Sequence, residues 1–181
     1  MFQRHPEWFR AGGLLIHVAP EEELKKRLSA TAKRCGMTYR CGGITGQGEF
    51  YLDLLNLPFQ NDSVDLLYCC HVLNMVPDDL AGMREVFRVM SPCGVGLLQV
   101  PAFHQGSESV ESRSAEESMS LFHDPLMYRC YADADYVARL QSVGFHVGHL
   151  LASELPKELV HKYQLKSEVL HACFKQDPAR G

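Results

Sequence analysis

The stretch that decides the fold is residues 57–94, which read LPFQNDSVDLLYCCHVLNMVPDDLAGMREVFRVMSPCG. A turn cluster at 60–63 precedes a strongly apolar run, Val64 to Cys70, which has the length of a buried strand. Residues 77–79, Pro-Asp-Asp, then signal the start of a helix, and the Ser-Pro-Cys-Gly group at 91–94 ends it. The stretch therefore predicts a strand, a helix and the approach to a second strand, as in a βαβ unit of a parallel sheet.

The same alternation of strand and helix continues on both sides of this stretch. Helices are predicted from Pro20 to Gly36 and from Asp133 to Val143, where acids or proline begin each helix and glycine ends it. The other predicted strands are Leu14 to Ala19, Met37 to Arg40, Phe50 to Leu54, Val95 to Val100, Phe145 to Leu151 and Glu168 to Phe174. This pattern predicts a single doubly wound α/β domain, with a mostly parallel seven-stranded sheet and helices on both faces.

The domain is expected to occupy residues 14–175, after a lead-in at 1–13 and before a short tail at 176–181. Residues 101–124 are polar and rich in serine and glutamate, which predicts a long loop: either a mobile lid over the site or a permanently flexible surface loop. Residues 152–167 are expected to be helical in part.

Composition excludes several classes of protein. The chain has 181 residues and a net charge of -4, and it shows no basic stripe of the kind that binds nucleic acid. It has neither an apolar run long enough for a transmembrane helix nor the apolar core of a signal peptide at its start. Seven cysteines without a CxxC pair predict reduced thiols in a cytoplasmic protein and no metal site.

The stretch at 57–94 resembles the central block of the class I S-adenosylmethionine (SAM) methyltransferases, whose pattern is LPF-x-D-x-S-F-D, H-V-L-E-H and R-V-L-x-P-G-G. The segment from His17 to Glu21 is similar to an H-x-A-P-E turn that replaces the usual glycine-rich motif in one small subgroup. Residues 122–131 resemble that subgroup's F-G-Q-x-D-H-V-R-x-Y segment. The resemblance implies SAM as cofactor and a strand order of 3-2-1-4-5-7-6, in which the last strand is antiparallel.

The resemblance also implies a set of cofactor-binding residues, namely His17, Val18, Ala19, Glu21, Asp53, Leu54 and Cys70. In the family, an acid at the position of Asp53 accepts a hydrogen bond from the adenine amino group, and the next backbone amide donates to the ring. Asp53 could instead cap a turn. His17 could be a hydrogen-bonding wall or a buried core histidine, and Glu21 could pair with the SAM ammonium or belong to a solvated helix start. The residues that match the family's ribose-binding position, 41–44, contain no acid.

The acceptor side of the site is predicted at His71, Arg129 and Tyr131. His71 could orient an acceptor or act as a base, because the pKa of histidine lies near working pH, although this histidine could also be structural. Arg129 and Tyr131 match the subgroup's Arg and Tyr and could bind an anionic acceptor. For Arg129 the alternative is an ion pair that pins a loop.

The function expected from these observations is methyl transfer from SAM to a small molecule or natural-product intermediate. The alternative is a methyltransferase-like protein that has lost catalysis and binds a partner, which the missing glycines and the missing ribose acid favour. The sequence leaves open whether the chain forms a homodimer or serves as a partner subunit.

Overall fold

A computed structural model describes residues 5–46, 48–101, 108–151, 157–162 and 169–176. Its strands are β1 (Leu14–Val18), β2 (Thr38–Gly43), β3 (Phe50–Tyr51), β4 (Val64–Cys70), β5 (Met90–Gln99), β6 (Val110–Glu111), β7 (Arg129–Cys130), β8 (His146–Leu151) and β9 (Val169–Phe174). Its α-helices are α1 (Glu22–Arg34), α2 (Asp79–Val89), α3 (Ala115–Phe122), α4 (Asp133–Ser142) and α5 (Lys157–Lys162). Two 3-10 helices, Pro6–Trp8 and Leu73–Met75, complete the described elements.

The main sheet has seven strands in the order β3-β2-β1-β4-β5-β9-β8. Strands β1 to β5 pair in parallel, and β9 is antiparallel to both β5 and β8. Numbered within this sheet, the order is 3-2-1-4-5-7-6, so the predicted fold and its antiparallel last strand are confirmed.

Helices cover both faces of the sheet because alternate residues of each central strand point to opposite sides. On one face, Ile16 of β1 and Leu67 of β4 belong to a buried cluster with residues of α2 and α4. On the other face, Leu15 and Leu66 pack in a second cluster with α1 and Trp8 of the lead-in. All four strand side chains are 0% or 1% exposed, so the central strands are buried on both sides, as the continuous apolar runs predicted.

Three strand boundaries differ from the prediction by more than one residue. Strand β2 continues to Gly43, three residues beyond the predicted Arg40. The other two have local reasons. Strand β3 ends at Tyr51 rather than Leu54 because the Asp53 carboxylate accepts a hydrogen bond from the Leu55 backbone amide at 2.9 Å and turns the chain. Strand β5 begins at Met90, so the residues at 91–94 lie in the strand. They fit because the register with β4 shifts between Val64 and Leu66, an irregularity that absorbs the extra residues.

The expectation of a long loop over residues 101–124 was wrong for its second half. Strand β6 pairs with β7, and α3 occupies eight of the residues expected to form the loop. The Ser114 hydroxyl accepts from the Glu117 amide, and the Glu117 carboxylate accepts from the Arg113 amide. The Ser-x-x-Glu sequence at 114–117 is a helix-start signal that could have predicted α3. Residues 102–107 lie outside the described part of the chain.

The buried carboxylate of Asp79, the first residue of α2, connects distant parts of the chain. It accepts a hydrogen bond from the Tyr131 hydroxyl at 2.8 Å and forms an ion pair with Arg139 of α4 at 3.2 Å. The Arg129 Nε atom lies 3.6 Å from the same carboxylate and 3.6 Å from Glu111. Asp79 therefore joins α2, β7 and α4 and neutralises cations that are mostly removed from water.

We expect Asp79→Asn to lower the free energy of unfolding by about 3–5 kcal/mol, the cost of removing one partner from a buried ion pair. Glu111→Gln is the matched control, since Glu111 meets the same two arginines but its side chain is 46% exposed. The control should cost less than about 1 kcal/mol because solvent screens exposed pairs. Urea denaturation of the two variants measures both changes in unfolding free energy. Equal changes in the two variants would contradict the central role of the Asp79 carboxylate.

Candidate functional site

The candidate site lies where the parallel strands of the main sheet end. Val18 of β1 is level with Gly42 of β2 and Cys69 of β4, and Cys70 is level with Gln99 of β5. In open parallel sheets, ligands bind beyond these carboxyl ends, near the point where the strand order reverses. Here the order reverses between β1 and β4, so the turns that follow these two strands line the expected crevice.

The turn after β1 keeps a glycine-like conformation without a glycine. Ala19 has φ +47°, in the left-handed region, and its amide donates to the Gly42 carbonyl at 2.8 Å. A non-glycine residue in this region is strained by about 1–3 kcal/mol, which the surrounding structure must offset. The turn thus leads the chain from the sheet edge into α1 through a backbone shape that glycine usually supplies.

His17 is a buried core residue that positions Glu21. Its side chain is 0% exposed, and its two ring nitrogens lie 2.9 Å from the Tyr39 hydroxyl and 3.2 Å from a Glu21 carboxylate oxygen. Burial lowers the pKa of His17, although its hydrogen bond with Glu21 acts in the opposite direction. Glu21 is 52% exposed, so of this pair Glu21 is the side chain that a ligand can reach.

Two glycines allow close backbone packing around the end of β2. A side chain at Gly42 would collide with the Phe50 carbonyl, and a side chain at Gly48 would lie 2.6 Å from the Cys41 carbonyl. Gly42 therefore allows β2 to pack closely against β3, and Gly48 allows the following loop to return against β2. The chain has no carboxylate at residues 41–44, where the family places its ribose-binding acid.

Asp53 and Leu54 follow β3 at the same edge. Asp53 is partly exposed and holds the tight turn through its hydrogen bond with the Leu55 amide. Leu54 is 2% exposed and belongs to the core. The turn-capping alternative for Asp53 is therefore observed, and its cofactor-binding role stays a prediction.

The end of β4 carries a second left-handed turn. His71 has φ +55° and an exposed side chain, and its amide donates to the Gln99 carbonyl at 2.9 Å. Cys70, just before it, is partly buried. The geometry presents the His71 imidazole to solvent at the sheet edge, where it could meet an acceptor. Its catalytic role stays a prediction.

Two amide side chains outside the predicted set of binding residues, Asn74 after β4 and Gln99 at the end of β5, also lie at this edge. The side-chain oxygens of Asn74 and Gln99 are buried, and neither accepts a hydrogen bond from the described residues. An unsatisfied buried acceptor costs about 1–3 kcal/mol, so each of these oxygens would be stabilised by a further hydrogen-bond donor. Asn74 stands where the family has an acid, a departure visible in the sequence, whereas nothing in the sequence marks Gln99.

Arg129 and Tyr131 point inward. The Arg129 guanidinium donates to the Val76 and Pro77 carbonyls at 2.7 and 2.9 Å, and its side chain is 5% exposed. Tyr131 is 1% exposed and donates to Asp79. These contacts match the loop-pinning alternative for Arg129, since they hold the segment between β4 and α2, while a substrate-binding role for either residue stays a prediction.

The fold and this edge define a Rossmann-like α/β protein of the class I methyltransferase type. Residues 5–98 match the family described as "Methyltransferase domain", and the chain belongs to that family. No curated protein sequence matches the chain. Within the described residues, no helix is long and apolar enough to cross a membrane.

Solved structures with the same fold include several methyltransferases. A structure of the Haloferax volcanii Trm112 methyltransferase activator in complex with a methyltransferase matches at 16% identity and a TM-score of 0.63, covering 98% of this chain and 92% of that one. A SAM-dependent methyltransferase from Mesorhizobium loti matches at 15% identity and a TM-score of 0.61, covering 93% and 95% of the two chains. A Haemonchus contortus phosphoethanolamine N-methyltransferase, solved with S-adenosylhomocysteine, matches at 11% identity and a TM-score of 0.63, covering 97% of this chain and 52% of that one. At these identities the likeness concerns the fold.

The residues at the edge fit SAM in part. Asp53 carries a partly exposed carboxylate after β3, and the side-chain oxygens of Asn74 and Gln99 are acceptors without a donor among the described residues. The fit is poorest after β2, where residues 41–44 contain no acid.

The buried histidine predicts a loss of stability in acid. His17 has a lowered pKa in the folded chain, so below its ordinary value of 6.5 the unfolded chain binds a proton that the folded chain rejects. We expect the free energy of unfolding to fall with pH below about 6.5, by up to about 1.4 kcal/mol per pH unit from this residue. His17→Gln should make that slope shallower in urea denaturation at pH 7.5, 6.5 and 5.5.

The control for this measurement is His146→Gln, because His146 is an exposed histidine. It should keep the slope of the unchanged protein. The same slope in His17→Gln as in the unchanged protein would contradict the assignment of this proton to His17.

Proposed function

We propose that this protein transfers a methyl group from SAM to a small molecule in the cytoplasm. The observation that carries the proposal is the carboxyl edge of the sheet, where the family's strand order brings two left-handed turns, at Ala19 and His71, to either side of the order reversal. The match to the methyltransferase family over residues 5–98 spans both turns. The buried thiols of Cys41, Cys69 and Cys173 are free, which supports a reducing compartment.

In this proposal the edge residues bind and align the two reactants. The Asp53 carboxylate accepts a hydrogen bond from the adenine amino group, the Leu54 amide donates to the ring, and Glu21 pairs with the ammonium group. Val18 and Ala19 contribute the backbone of the first turn, and Cys70 contributes the end of β4. When bound, SAM supplies the activated methyl group.

The chain's contribution to the reaction is alignment, because a direct displacement at the methyl carbon is accelerated mainly by proximity and orientation. The exposed His71 imidazole orients the acceptor or removes its proton. The segment formed by β6, α3 and β7 lies beside this position, since the Tyr128 amide donates to the Asn74 carbonyl at 2.9 Å. That segment serves as the cover of the acceptor site.

A second function is favoured by the missing ribose acid. A chain without a carboxylate at residues 41–44 suits a protein that no longer binds SAM and acts as a partner subunit. The Haloferax volcanii structure similar to this chain is itself a complex of an activator and a methyltransferase. Calorimetry with SAM separates the two functions, since a partner subunit of this kind gives no binding heat.

We expect Asp53→Ala to weaken SAM binding by about 1–3 kcal/mol, or roughly 5–150-fold, because it leaves the adenine amino group without its acceptor. Titration calorimetry of the full chain measures the change. Asp65→Ala is the control: the Asp65 carboxylate also accepts a 2.9 Å hydrogen bond from a backbone amide, that of Leu14, but it lies at the amino end of β4, at the opposite edge of the sheet.

The control should lose a hydrogen bond of the same kind and keep the affinity for SAM. Equal affinities in Asp53→Ala, Asp65→Ala and the unchanged protein would place the adenine elsewhere. Absence of SAM binding in the unchanged protein would contradict the catalytic proposal and favour the partner subunit.

A further inference from the structure

A cluster of three metal-ligating side chains lies outside the residues assigned to methyl transfer. Asp133, His149 and His171 each offer one ligand atom, and these atoms all lie within 4.8 Å of one another. The His171 Nε2 atom is 3.2 Å from an Asp133 carboxylate oxygen. The two imidazole rings are 5.2 Å apart between centroids and inclined at 71°.

The sheet itself creates this cluster. Strands β8 and β9 pair antiparallel with His149 directly opposite His171, so the two side chains share one face of the sheet. Asp133 begins α4, which packs on that face through Tyr136. The ring of Tyr136 meets the His171 ring edge-on, with centroids 5.0 Å apart, and restricts its orientation.

The three side chains differ in exposure, so the cluster combines one fixed ligand with access from solvent. His171 is fully buried, whereas Asp133 and His149 are exposed. A metal ion can therefore approach from solvent and meet a fixed imidazole, while the two exposed side chains adjust around it. The spacing of the seven cysteines predicts no metal site, but none of the cysteines belongs to this cluster.

We propose that Asp133, His149 and His171 bind a divalent transition-metal ion of the zinc type. Two imidazoles and one carboxylate form a donor set that suits Zn²⁺ better than Mg²⁺ or Ca²⁺, which prefer oxygen ligands. Bond lengths of about 2.0–2.2 Å put tetrahedral ligands roughly 3.4 Å apart. Rotation of the exposed Asp133 and His149 side chains closes the cluster to that spacing.

Three protein ligands leave a fourth position for water or another small ligand, as in sites where zinc has a chemical rather than a purely structural role. His171 is level with Leu98 near the end of β5, so the cluster lies towards the carboxyl edge, on the side of β5 away from β1. The metal site does not depend on the proposed methyl transfer, and its binding is measured without any acceptor.

The test uses the full chain, freed of metal by a chelator and then titrated with Zn²⁺ by calorimetry. We expect one Zn²⁺ per chain and no comparable binding of Mg²⁺. His149→Ala should weaken Zn²⁺ binding by about 100-fold or more, since losing even an outer-shell partner costs roughly 10–100-fold. The matched control is His146→Ala, an exposed histidine on the same strand, which should bind Zn²⁺ as the unchanged protein does.

Two further measurements complete the test. Circular dichroism distinguishes loss of a ligand from loss of the fold, and the absorption spectrum of the Co²⁺ form distinguishes imidazole ligands from thiolate ligands. His149 is exposed, so circular dichroism should show an intact fold in His149→Ala; if it does not, Asp133→Asn provides the same comparison with an exposed side chain. The Co²⁺ form should absorb without a thiolate-to-metal charge-transfer band, because no cysteine is a ligand. Equal Zn²⁺ affinity in His149→Ala and the unchanged protein, a thiolate band, or no Zn²⁺ binding would each overturn the proposal.

Discussion

The buried carboxylate of Asp79 is the constraint on which the second half of the fold depends. Two arginines and a tyrosine converge on it from β7, the residue after β7, and α4. A buried charge of this kind is tolerated only when it is well paired, so α2, β7 and α4 have to meet in one arrangement. The same contacts hold the segment between β4 and α2 in place, because Arg129 also donates to the carbonyls of Val76 and Pro77. The candidate site is therefore framed by this ion-pair network, which fixes the segment between β4 and α2.

Strand positions could be predicted from the sequence because burial on both faces demands continuous apolar runs, and β1, β4 and β9 follow such runs closely. The order of the strands is implied by the family resemblance and is confirmed. Predicted boundaries were wrong where single contacts decide them. The carboxylate of Asp53 ends β3 early, and the irregular register near Val64 lets β5 run through a Ser-Pro-Cys-Gly group that normally ends an element. Helix α3 forms within a polar segment because the Ser114 and Glu117 capping pair outweighs the unfavourable composition.

The location of the candidate site could be predicted, but the directions of its side chains could not. Residues that follow parallel strands must meet at one edge, which places Ala19, Asp53 and His71 there whatever their role. Whether a side chain points into the crevice depends on packing from distant elements. His17 turns into the core because Tyr39 and Glu21 engage its ring. Contacts between residues on different strands, such as His149 with His171, follow from the pairing register, which the sequence pattern does not specify.

The side-chain oxygens of Asn74 and Gln99 are buried and have no donor among the described residues. A buried acceptor without a donor costs free energy, so apolar side chains would be favoured at these positions unless a donor comes from elsewhere. The backbone amide of His71 donates to the backbone carbonyl of Gln99. This hydrogen bond holds the left-handed turn at His71 next to the residue that carries one of the two oxygens. A donor group at the ends of β4 and β5 would satisfy these oxygens. Hydrogen bonds of this kind suit a reaction that depends on alignment, so the proposed methyl transfer does not require the acids that the resembled family has after β2 and β4.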